Sequence, residues 1–529
     1  PYPSRRSPVV ARHGIVATSQ PLAAQAGLSM LQAGGTAVDA AIATAAIMTV
    51  VEPTSNGIGS DAFALIWDGS RLHGYNGSGR APTALTPERV RAAGLTAMPG
   101  SGWLAVTVPG APRTWADLNQ RFGKLDLEQV LAPAIATARE GYAVTPVISG
   151  LWAGGAAAQS RRSGPEFDAW WPTFAPTGQP PAAGDIWASA EHAETLMRIA
   201  KTRADDFYRG ELAQRIADFA HQTGGLMTAD DLAQHTGTWV EPISTNYRGY
   251  DVWEIPPNGQ GLAALIALNL LEHDAFGLAQ GPRESVDSYH VQIEAMKLAF
   301  ADAHRYIADP EYAAVPTQEL LAKDYAASRR ALIGDRAEVR QAGDPVRGGT
   351  IYLCAADQDG MMVSYIQSNY AGFGSGVVVP GTGIALQNRG SGFSLDPNHP
   401  NVLEPGKRPF HTIIPAFLTR DGEAVGPFGV MGGHMQPQGH LQVVLNTIEW
   451  GMNPQAALDA PRWMVMSGLD VLVEPSVGPE IVQGLQARGH QLHLGDPEPF
   501  GRGQIIWRLP SGALVAGTEP RADGAALGY

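Results

Sequence analysis

The chain has 529 residues, of which 44% are hydrophobic and 17% are charged, a composition typical of a globular protein with ample material for a core. Its formal net charge is −14 and no segment is rich in lysine or arginine, which argues against nucleic acid and anionic membrane surfaces as partners. The single cysteine, Cys354, excludes an intrachain disulfide and a cysteine-based metal site.

The apolar segments of the chain bear on the cellular location of the protein. No run reaches the 18 or more apolar residues of a membrane span, and residues 1–12 carry three arginines without a following apolar segment. We therefore expect no membrane span and no signal peptide in this sequence, which favours a cytoplasmic location. A periplasmic location stays open, because the sequence does not begin with Met and a leader could have been removed.

Helical patterns dominate the first 340 residues. Residues 22–51 predict two alanine-rich helices separated by Gly34 and Gly35, and a buried strand follows over 62–67. Thr228 resembles a helix N-cap. The spacing of apolar residues predicts further helices at three places: 127–140, 261–271 and 290–307.

After residue 344 the pattern changes to short β-branched or alternating runs, which predict strands. Asp359 and Gly360 form a hairpin turn signal between the first two of them. The runs cover residues 351–356, 361–367, 376–379 and 413–418. A helix-rich half followed by hairpin strands predicts an α+β sandwich whose sheets are covered by helices.

Gly348, Gly349 and Thr350 open the strand-rich segment. A threonine at the start of a buried strand can attack the preceding carbonyl, and glycine there allows the strained backbone that an N→O acyl shift needs. Hydrolysis of the ester would free an α-amine beside the threonine hydroxyl. This amine, with a reference pKa of about 7.7–8.0, is a general base near neutrality. Taken alone, the motif also fits an ordinary loop that enters a strand.

Two other places support the catalytic interpretation. Gly432 and Gly433 offer two consecutive backbone N–H groups that could form an oxyanion hole. Ser368 follows Thr350 by 18 residues and would lie on the neighbouring hairpin strand, where its hydroxyl could bond that of Thr350.

The sequence resembles the gamma-glutamyltranspeptidase family over nearly its whole length. Seven colinear segments carry the resemblance: VATSQPLAAQAGLSMLQAGGTAVDAAIATA (16–45), EPTSNGIGSDAFAL (52–65), PGAP (109–112), EAMKLAFADAHRYIADP (294–310), GGT (348–350), KRPFHTIIP (407–415) and MGG (431–433).

The resemblance implies a four-layer αββα sandwich of the N-terminal nucleophile hydrolase type. It also implies a precursor that cuts itself between Gly349 and Thr350 into a large fragment (1–349) and a small one (350–529), which together form one intertwined domain. In that scheme Thr350 is the nucleophile, Ser368 is its hydroxyl partner, and Gly432 and Gly433 are the oxyanion donors.

The family also implies residues that hold the carboxylate of the substrate. The arginine in the segment matching YNGSGRAP is Arg80, and a planar guanidinium suits carboxylate recognition. The hydroxyl residues that share this role in the family correspond to His411 and Thr412. We expect all three in the substrate site.

Departures from the family lie in QNRGSGF (387–393). Transpeptidases hold the α-ammonium of the substrate with acidic groups at the positions of Ser391 and Gly392, whereas this chain adds a positive charge at Arg389. An asparagine that helps hold the amino-acid end is replaced by Tyr370. A buried ammonium without a carboxylate is costly, so the site is predicted to bind a carboxylate without a neighbouring amine.

The segment MGGHMQPQGHLQ (431–442) resembles a branch of amidohydrolases and acylases within the family. Oxamate is our favoured substrate, hydrolysed to oxalate and ammonia, and Tyr370 would fill the space once used by the amino-acid end. A glutaryl-type cephalosporin acylase is the next alternative, and gamma-glutamyl transfer the last. Tyr370, Arg389 and His434 are included among the substrate-binding residues, while a structural role for His434 and for His440 stays open.

Rival classes fit the sequence less well. A non-catalytic relative would lose Thr350, the glycine pair or Arg80, and a Ser-His-Asp hydrolase would need a G-x-S-x-G elbow on a strand–turn–helix, which we do not find. We predict no cofactor and no metal. The expected partners are a small anionic amide, water and the two fragments of one precursor, with a homodimer of such pairs as an open alternative.

Self-cleavage gives the first testable prediction. Denaturing gels should resolve fragments of 349 and 180 residues, because the 529 residues are divided after Gly349, and terminal sequencing of the smaller one should begin with Thr350. The Thr350→Ala variant should remain one chain because it lacks the attacking hydroxyl. A new N-terminus at any other residue would contradict the assignment.

Overall fold

The computed structural model describes residues 6–272, 276–278, 280–340, 349–495 and 498–529. Two seven-stranded antiparallel sheets form its centre. Sheet I contains, in spatial order, β21 (Ala525–Gly528), β2 (Ile15–Thr18), β10 (Gly349–Ala356), β11 (Met362–Tyr370), β3 (Asp61–Trp67), β4 (Leu72–Asn76) and β7 (Thr238–Val240). Sheet II contains β1 (Val9–Ala11), β20 (Leu514–Thr518), β19 (Arg502–Arg508), β15 (Glu423–Met431), β14 (Ala416–Arg420), β9 (Tyr250–Glu254) and β8 (Ile243–Tyr247).

Three smaller sheets lie outside this pair. They are formed by β16 (Trp463–Ser467), β17 (Asp470–Val473) and β18 (Gln491–Leu494), by β5 (Tyr142–Ala143) and β6 (Ile186–Trp187), and by β12 (Val378–Val379) and β13 (Ile384–Ala385). In the first of them β17 and β18 are parallel.

Helices cover the outer face of each large sheet. The helices that precede β7 in the chain are α1 (Pro21–Gln32), α2 (Ala37–Val51), α3 (Pro87–Ala92), α4 (Ala111–Phe122), α5 (Leu127–Glu140), α6 (Pro146–Gln159), α7 (Trp170–Phe174), α8 (Ala190–Thr202), α9 (Asp205–Arg209), α10 (Glu211–Gln222) and α11 (Ala229–Ala233). The remaining ones are α12 (Gly261–Leu271), α13 (Val286–Tyr306), α14 (Thr317–Leu320), α15 (Lys323–Arg330), α16 (Met435–Ile448), α17 (Pro454–Asp459) and α18 (Pro479–Ala487). No helix in the described part of the chain is long and apolar enough to cross a membrane.

The side chains of β10 show how the layers are stacked. Ile351, Leu353 and Ala355 pack into the cluster that contains α1, α2, α4 and α5, whereas Tyr352 and Cys354 pack between the two sheets. Alternate residues of a strand point to opposite faces, so both faces of β10 are buried. A third cluster joins sheet II to α12, α13 and α16. The order is therefore helix, sheet, sheet, helix, and the predicted four-layer αββα sandwich is confirmed.

The helix α2 packs against the outer face of sheet I. All fifteen of its residues are buried, and their alanine-rich sequence lets neighbouring backbones approach closely. The helix begins at a capping box in which Thr36 and Asp39 bond each other's backbone N–H groups. The preceding helix ends before Gly34, whose φ of 87° favours glycine. The two predicted helices and the break between them are confirmed.

Most of the other predicted elements are present with small shifts. The helices over 127–140 and 261–271 and the strand over 62–67 are confirmed, and α13 begins four residues before the predicted 290. The strand predicted over 413–418 begins only at Ala416, and the one over 376–379 is reduced to two residues.

The expectation of a mostly helical first half needs correction. Strands β7, β8 and β9 lie between α11 and α12 and pair into the two large sheets. Each large sheet therefore contains strands from both sides of residue 350, and the helix-rich and strand-rich halves are not separate units.

Candidate active site

Thr350 is the second residue of β10, at an irregularity in the pairing with β11. Gly349 pairs with Tyr370 but Ile351 pairs with Gln367, so Thr350 lies opposite two residues of β11, Ser368 and Asn369, which form a bulge. Bulges change the direction of a side chain and interrupt the ladder. Here the Thr350 side chain is fully buried, and its Oγ1 lies 3.0 Å from Ser368 Oγ. Gly348, named with Thr350 in the sequence motif, lies outside the described residues.

Ser368 links Thr350 to a guanidinium. The backbone N–H of Tyr370 donates to Ser368 Oγ at 2.7 Å, and Arg389 Nη2 donates to the same oxygen at 3.2 Å. A serine hydroxyl has one hydrogen and two acceptor lone pairs. Thr350 Oγ1 lies within hydrogen-bond distance of the same oxygen, and either hydroxyl can be the donor.

Arg389 is a buried cation in the short 3₁₀ turn Arg389–Gly392. Its side chain is 1% exposed, Nη1 donates to Thr412 Oγ1 at 2.6 Å, and Nε has no partner. Burial lowers the pKa of Arg389 to about 10, so the group is still charged at neutral pH. Among the described residues no carboxylate forms an ion pair with it. A buried charge without a counter-ion is costly, which indicates a place for an anion.

Tyr370 holds the other side of this guanidinium. The Arg389 Cζ atom lies 4.2 Å from the centre of the Tyr370 ring, within the range of a cation–π contact. Tyr370 has a φ of 79°, which is strained for a tyrosine and is found mostly at functional sites. This backbone conformation places the ring of Tyr370, the last residue of β11, over Arg389.

The glycine pair lies in the turn between β15 and α16. Gly432 and Gly433 have φ values of 131° and 61°, which only glycine adopts readily. Within the described chain their N–H groups donate to no other atom, so both are available to an oxyanion. Gln260 fixes this turn, because its side-chain amide donates to Gly433 O at 2.9 Å and to Thr412 O at 2.6 Å.

His411 is bonded to an aspartate that the sequence analysis did not identify. His411 Nε2 lies 3.1 Å from Asp61 Oδ2, and both side chains are fully buried. The backbone N–H of Ile413 donates to His411 Nδ1, so Nε2 carries the hydrogen and donates to Asp61. The backbone N–H of Gly79 donates to the other carboxylate oxygen at 3.2 Å.

Burial shifts the pKa values of both members of the Asp61–His411 pair. Desolvation raises the pKa of Asp61 to about 7, against the opposing effects of Arg389 and the N–H group of Gly79. Desolvation lowers the pKa of His411 well below its ordinary value, so the imidazole is neutral. On β3, Asp61 is paired with Ser368 of β11, which places the carboxyl next to the Thr350 cluster.

Arg80, expected in the substrate site, is held by other groups. Its Nη2 bonds both carboxylate oxygens of Glu311 at 2.8 and 2.9 Å, and its Nη1 donates to Gly406 O and lies 3.5 Å from Asp309. About a third of the side chain is exposed. No contact joins Arg80 to Thr350, Ser368 or Arg389 in the described part of the chain.

The two histidines after the glycine pair occupy different environments. His434 packs among the rings of Phe300, His304 and Phe410, and burial lowers its pKa to about 3. His440 is on α16, where Nδ1 lies 2.7 Å from the buried Glu254. Within the described residues, no group of three or more His, Cys, Asp or Glu side chains could hold a metal ion.

The Gamma-glutamyltranspeptidase family model matches residues 23–529. The chain belongs to the gamma-glutamyltranspeptidase family. The prediction of an enzyme is therefore confirmed at the level of the family.

Curated relatives align with this chain over nearly their full lengths. The glutathione hydrolase-like YwrD proenzyme of Bacillus subtilis is 37% identical and the oxamate amidohydrolase proenzyme of Klebsiella pneumoniae 34% identical; the alignments cover 98% of this chain and 99% of each relative. The acylase ACY 1 proenzyme of Pseudomonas sp. is 33% identical, over 99% of this chain and 95% of the relative.

A solved structure is similar in sequence and in fold. The cephalosporin acylase from Bacillus halodurans is 55% identical and superposes with a TM-score of 0.96, covering all of this chain and 98% of the other. The likeness supports the layered architecture described above.

Sequence reasoning had no specific signal for Asp61 or Gln260. Asp61 does lie within the quoted segment EPTSNGIGSDAFAL, where an acidic residue immediately before an apolar strand is a visible anomaly. Gln260 directly precedes α12 and carries no pattern that distinguishes it from a surface residue.

The raised pKa of Asp61 predicts a pH-dependent contribution to stability. Below about pH 4 the carboxyl is protonated in both states, and its contribution is fully present. As pH rises from about 4 to 7, the unfolded state loses its proton first, so the free energy of unfolding should fall relative to Asp61→Asn and level off above 7. One pKa unit corresponds to about 1.4 kcal/mol, so a loss of a few kcal/mol is expected.

The measurement is urea unfolding of both proteins between pH 4 and 8, in a Thr350→Ala background that keeps the chain in one piece. A stability difference that is constant with pH, or that grows in favour of the aspartate as pH rises, would contradict the raised pKa.

Proposed function

We propose that this chain is a self-processing amidohydrolase whose nucleophile is Thr350 after cleavage of the Gly349–Thr350 bond. The observation that carries the proposal is the shared hydroxyl of Ser368, which contacts Thr350 Oγ1 on one side and the unpaired Arg389 on the other. The proposed nucleophile, Thr350, and the proposed anion-binding group, Arg389, are therefore both hydrogen-bonded to Ser368 Oγ. The proposed fragments are residues 1–349 and 350–529.

Self-processing starts with attack of Thr350 Oγ1 on the carbonyl of Gly349. The C–N bond breaks as the ester forms, and the nitrogen takes the hydroxyl proton and becomes the free α-amine of Thr350. Water then hydrolyses the ester, which releases the carboxylate of Gly349 and restores the Thr350 hydroxyl. The bulge of β11 opposite Thr350 supports this step, because it interrupts the regular ladder there. The hydrogen bond between the hydroxyls of Ser368 and Thr350 orients the attacking oxygen.

Substrate hydrolysis repeats the same chemistry on an external amide. The α-amine of Thr350 accepts the hydroxyl proton as Oγ1 attacks the scissile carbonyl. The free N–H groups of Gly432 and Gly433 stabilise the oxyanion, a contribution of roughly 10²–10³ in kcat for one donor. The amine product leaves with a proton, and water releases the acid from the acyl-threonine.

Arg389 takes the carboxylate-binding role that the family resemblance gave to Arg80. Glu311 and Asp309 already neutralise Arg80, whereas no carboxylate of the described residues lies within ion-pair distance of the buried Arg389. Thr412 offers a hydroxyl beside the bound carboxylate, and Tyr370 covers it. His411 acts on the site through its hydrogen bond to Asp61. His434 stays a candidate only for positioning the glycine turn.

The short distance between Arg389 and Thr350 favours short acyl groups. The two hydrogen bonds of 3.2 and 3.0 Å join at Ser368 Oγ, so Arg389 Nη2 and Thr350 Oγ1 are no farther apart than their combined length. Oxamate places its carboxylate directly on the scissile carbon and fits this separation. Hydrolysis of oxamate to oxalate and ammonia is our first candidate reaction.

A dicarboxylic acylase is the second candidate function. A cavity of about 640 Å³ reaches Gly432, and ammonia as a leaving group needs no such space. The 55% identity to a cephalosporin acylase supports the same alternative. Gamma-glutamyl transfer is third, since Ser391 and Gly392 provide no carboxylate for an α-ammonium.

The carboxylate-binding role of Arg389 predicts a large loss on substitution. Arg389→Gln should lower kcat/KM for oxamate by a factor that corresponds to about 2–5 kcal/mol, because the substrate anion loses its counter-charge. Arg389→Lys should recover only part of it, since a point charge cannot make two parallel bonds. Arg80→Gln is the matched control and should change kcat/KM far less. An equal effect of the two glutamine variants would contradict the assignment.

The missing acidic residue predicts the order of substrates. Oxamate, glutaryl-4-nitroanilide and gamma-glutamyl-4-nitroanilide should be compared by kcat/KM. The glutaryl compound should be better than the gamma-glutamyl one, because nothing beside Gly392 neutralises the ammonium. A higher kcat/KM for the glutaryl compound than for oxamate would favour the acylase function. Preference for the gamma-glutamyl compound over both would overturn the amidohydrolase proposal.

A further inference from the structure

A cavity of about 640 Å³ opens beside the glycine turn. Its walls come from α6, from residues 371–373 after β11 and from Met431 and Gly432. None of the residues that surround Arg389 lines it: Thr350, Ser368, Tyr370 and Thr412 are all absent from its walls. The cavity therefore meets the candidate oxyanion hole without reaching the group that would hold the acyl carboxylate.

The wall of this cavity is largely apolar. Leu151, Phe373, Met464 and Met466 contribute side chains, and methionine adapts to ligands of irregular shape. On α6, Gly154 leaves the wall open, because a Cβ atom built there would meet no atom within 4 Å. The space suits a flat or branched apolar body much larger than ammonia.

Two arginines are the charged residues of the cavity wall, and only one of them has a carboxylate partner. Arg502 is neutralised by the buried Glu52 at 3.0 Å. Arg162 donates to Gln159 Oε1 at 2.7 Å and lies over the Phe167 ring at 5.9 Å, and no carboxylate in the described chain pairs with it. Burial and the neighbouring Arg161 both lower the pKa of Arg162, so an anion close by would be stabilised.

We infer that this cavity binds the amine half of the substrate amide, and that this half combines an apolar body with a carboxylate held by Arg162. The inference rests on the proposed function and favours its second candidate, an acylase, because the amine half of oxamate is only ammonia. With the acyl carboxylate on Arg389 and the carbonyl oxygen on Gly432, the remaining substituent of the scissile carbon is the amine, and the cavity is the space that adjoins Gly432. The substrate class is an amide with a carboxylate at each end.

The reaction in this geometry is balanced. Thr350 Oγ1 forms the ester bond as the C–N bond breaks, the nitrogen takes the proton that the hydroxyl gave up, and the amine leaves through the cavity. Water then cleaves the ester and releases the dicarboxylic acid.

The test uses substrates that differ only in the amine half: oxamate, N-phenyloxamate and N-(3-carboxyphenyl)oxamate, with the glutaryl counterparts of the two aryl compounds as a second series. In the wild type, kcat/KM should be higher for the carboxyphenyl compound than for the phenyl one. Arg162→Gln should lower this ratio by about tenfold, because only one of the two loses a charged contact. Arg161→Gln, an exposed neighbour with the same change of charge, should leave the ratio unaltered.

A second variant tests the volume of the cavity. Gly154→Leu adds a side chain where open space is present and should lower kcat/KM for both aryl compounds relative to oxamate. Because every readout is a ratio within one protein, a loss of folded protein cannot imitate the result.

The outcomes separate the two proposals. Hydrolysis that depends on Thr350 but shows the same carboxyphenyl-to-phenyl ratio in the wild type and Arg162→Gln would overturn this inference and leave the proposed function intact. A wild type that hydrolyses none of these amides, or activity that survives Thr350→Ala, would overturn both.

Discussion

The arrangement around Thr350 depends on a guanidinium buried without a carboxylate partner. Arg389 is fixed by two hydroxyl groups and an aromatic ring, none of which neutralises its charge. The surrounding structure supplies what these contacts need: the strained backbone of Tyr370, the bulge opposite Thr350, and Gln260, which ties Thr412 to the glycine turn. Such a site is prepared for an anion before the anion arrives, which lowers the cost of binding it.

The same buried charge explains the state of Asp61. A carboxyl with no exposure would ordinarily hold its proton firmly, and Arg389 and the N–H group of Gly79 oppose that tendency. Moving the carboxylate into direct contact with Arg389 would neutralise the receptor and compete with a substrate anion. Placing it out of direct contact, bonded to His411, partly balances the charge of the guanidinium while the N–H donors of Arg389 stay available.

The sequence was informative where function is local. Thr350, Ser368 and the glycine pair could be predicted because each lies in a short segment whose role depends on neighbouring residues. Arg80 and Arg389 could not be ranked, because the acidic partners of Arg80 lie more than 200 residues away. The order of helices and strands predicted an α+β sandwich, and the four-layer arrangement came from the family resemblance.

The strands β8 and β9 escaped prediction for a physical reason. They lie at the edge of sheet II and are only partly buried, so their sequences lack the strong alternation of a central strand. The turn between them places Arg248 and Gly249 at positive φ, a hairpin geometry usually signalled by Asn-Gly or Asp-Gly. Without that signal the segment could be taken as an irregular connection between helices.

The position of β10 between β2 and β11 has a consequence for how a cleaved molecule would unfold and refold. A cut before Thr350 would leave strands of both fragments interleaved in each large sheet, so neither fragment alone could complete a sheet. Assembly of the uncut precursor is a unimolecular process, whereas reassembly of separated fragments would be bimolecular and therefore concentration-dependent. The mature enzyme would thus owe its persistence to the slowness of unfolding, and a denatured sample would recover poorly on dilution even though every residue of the native fold is still present.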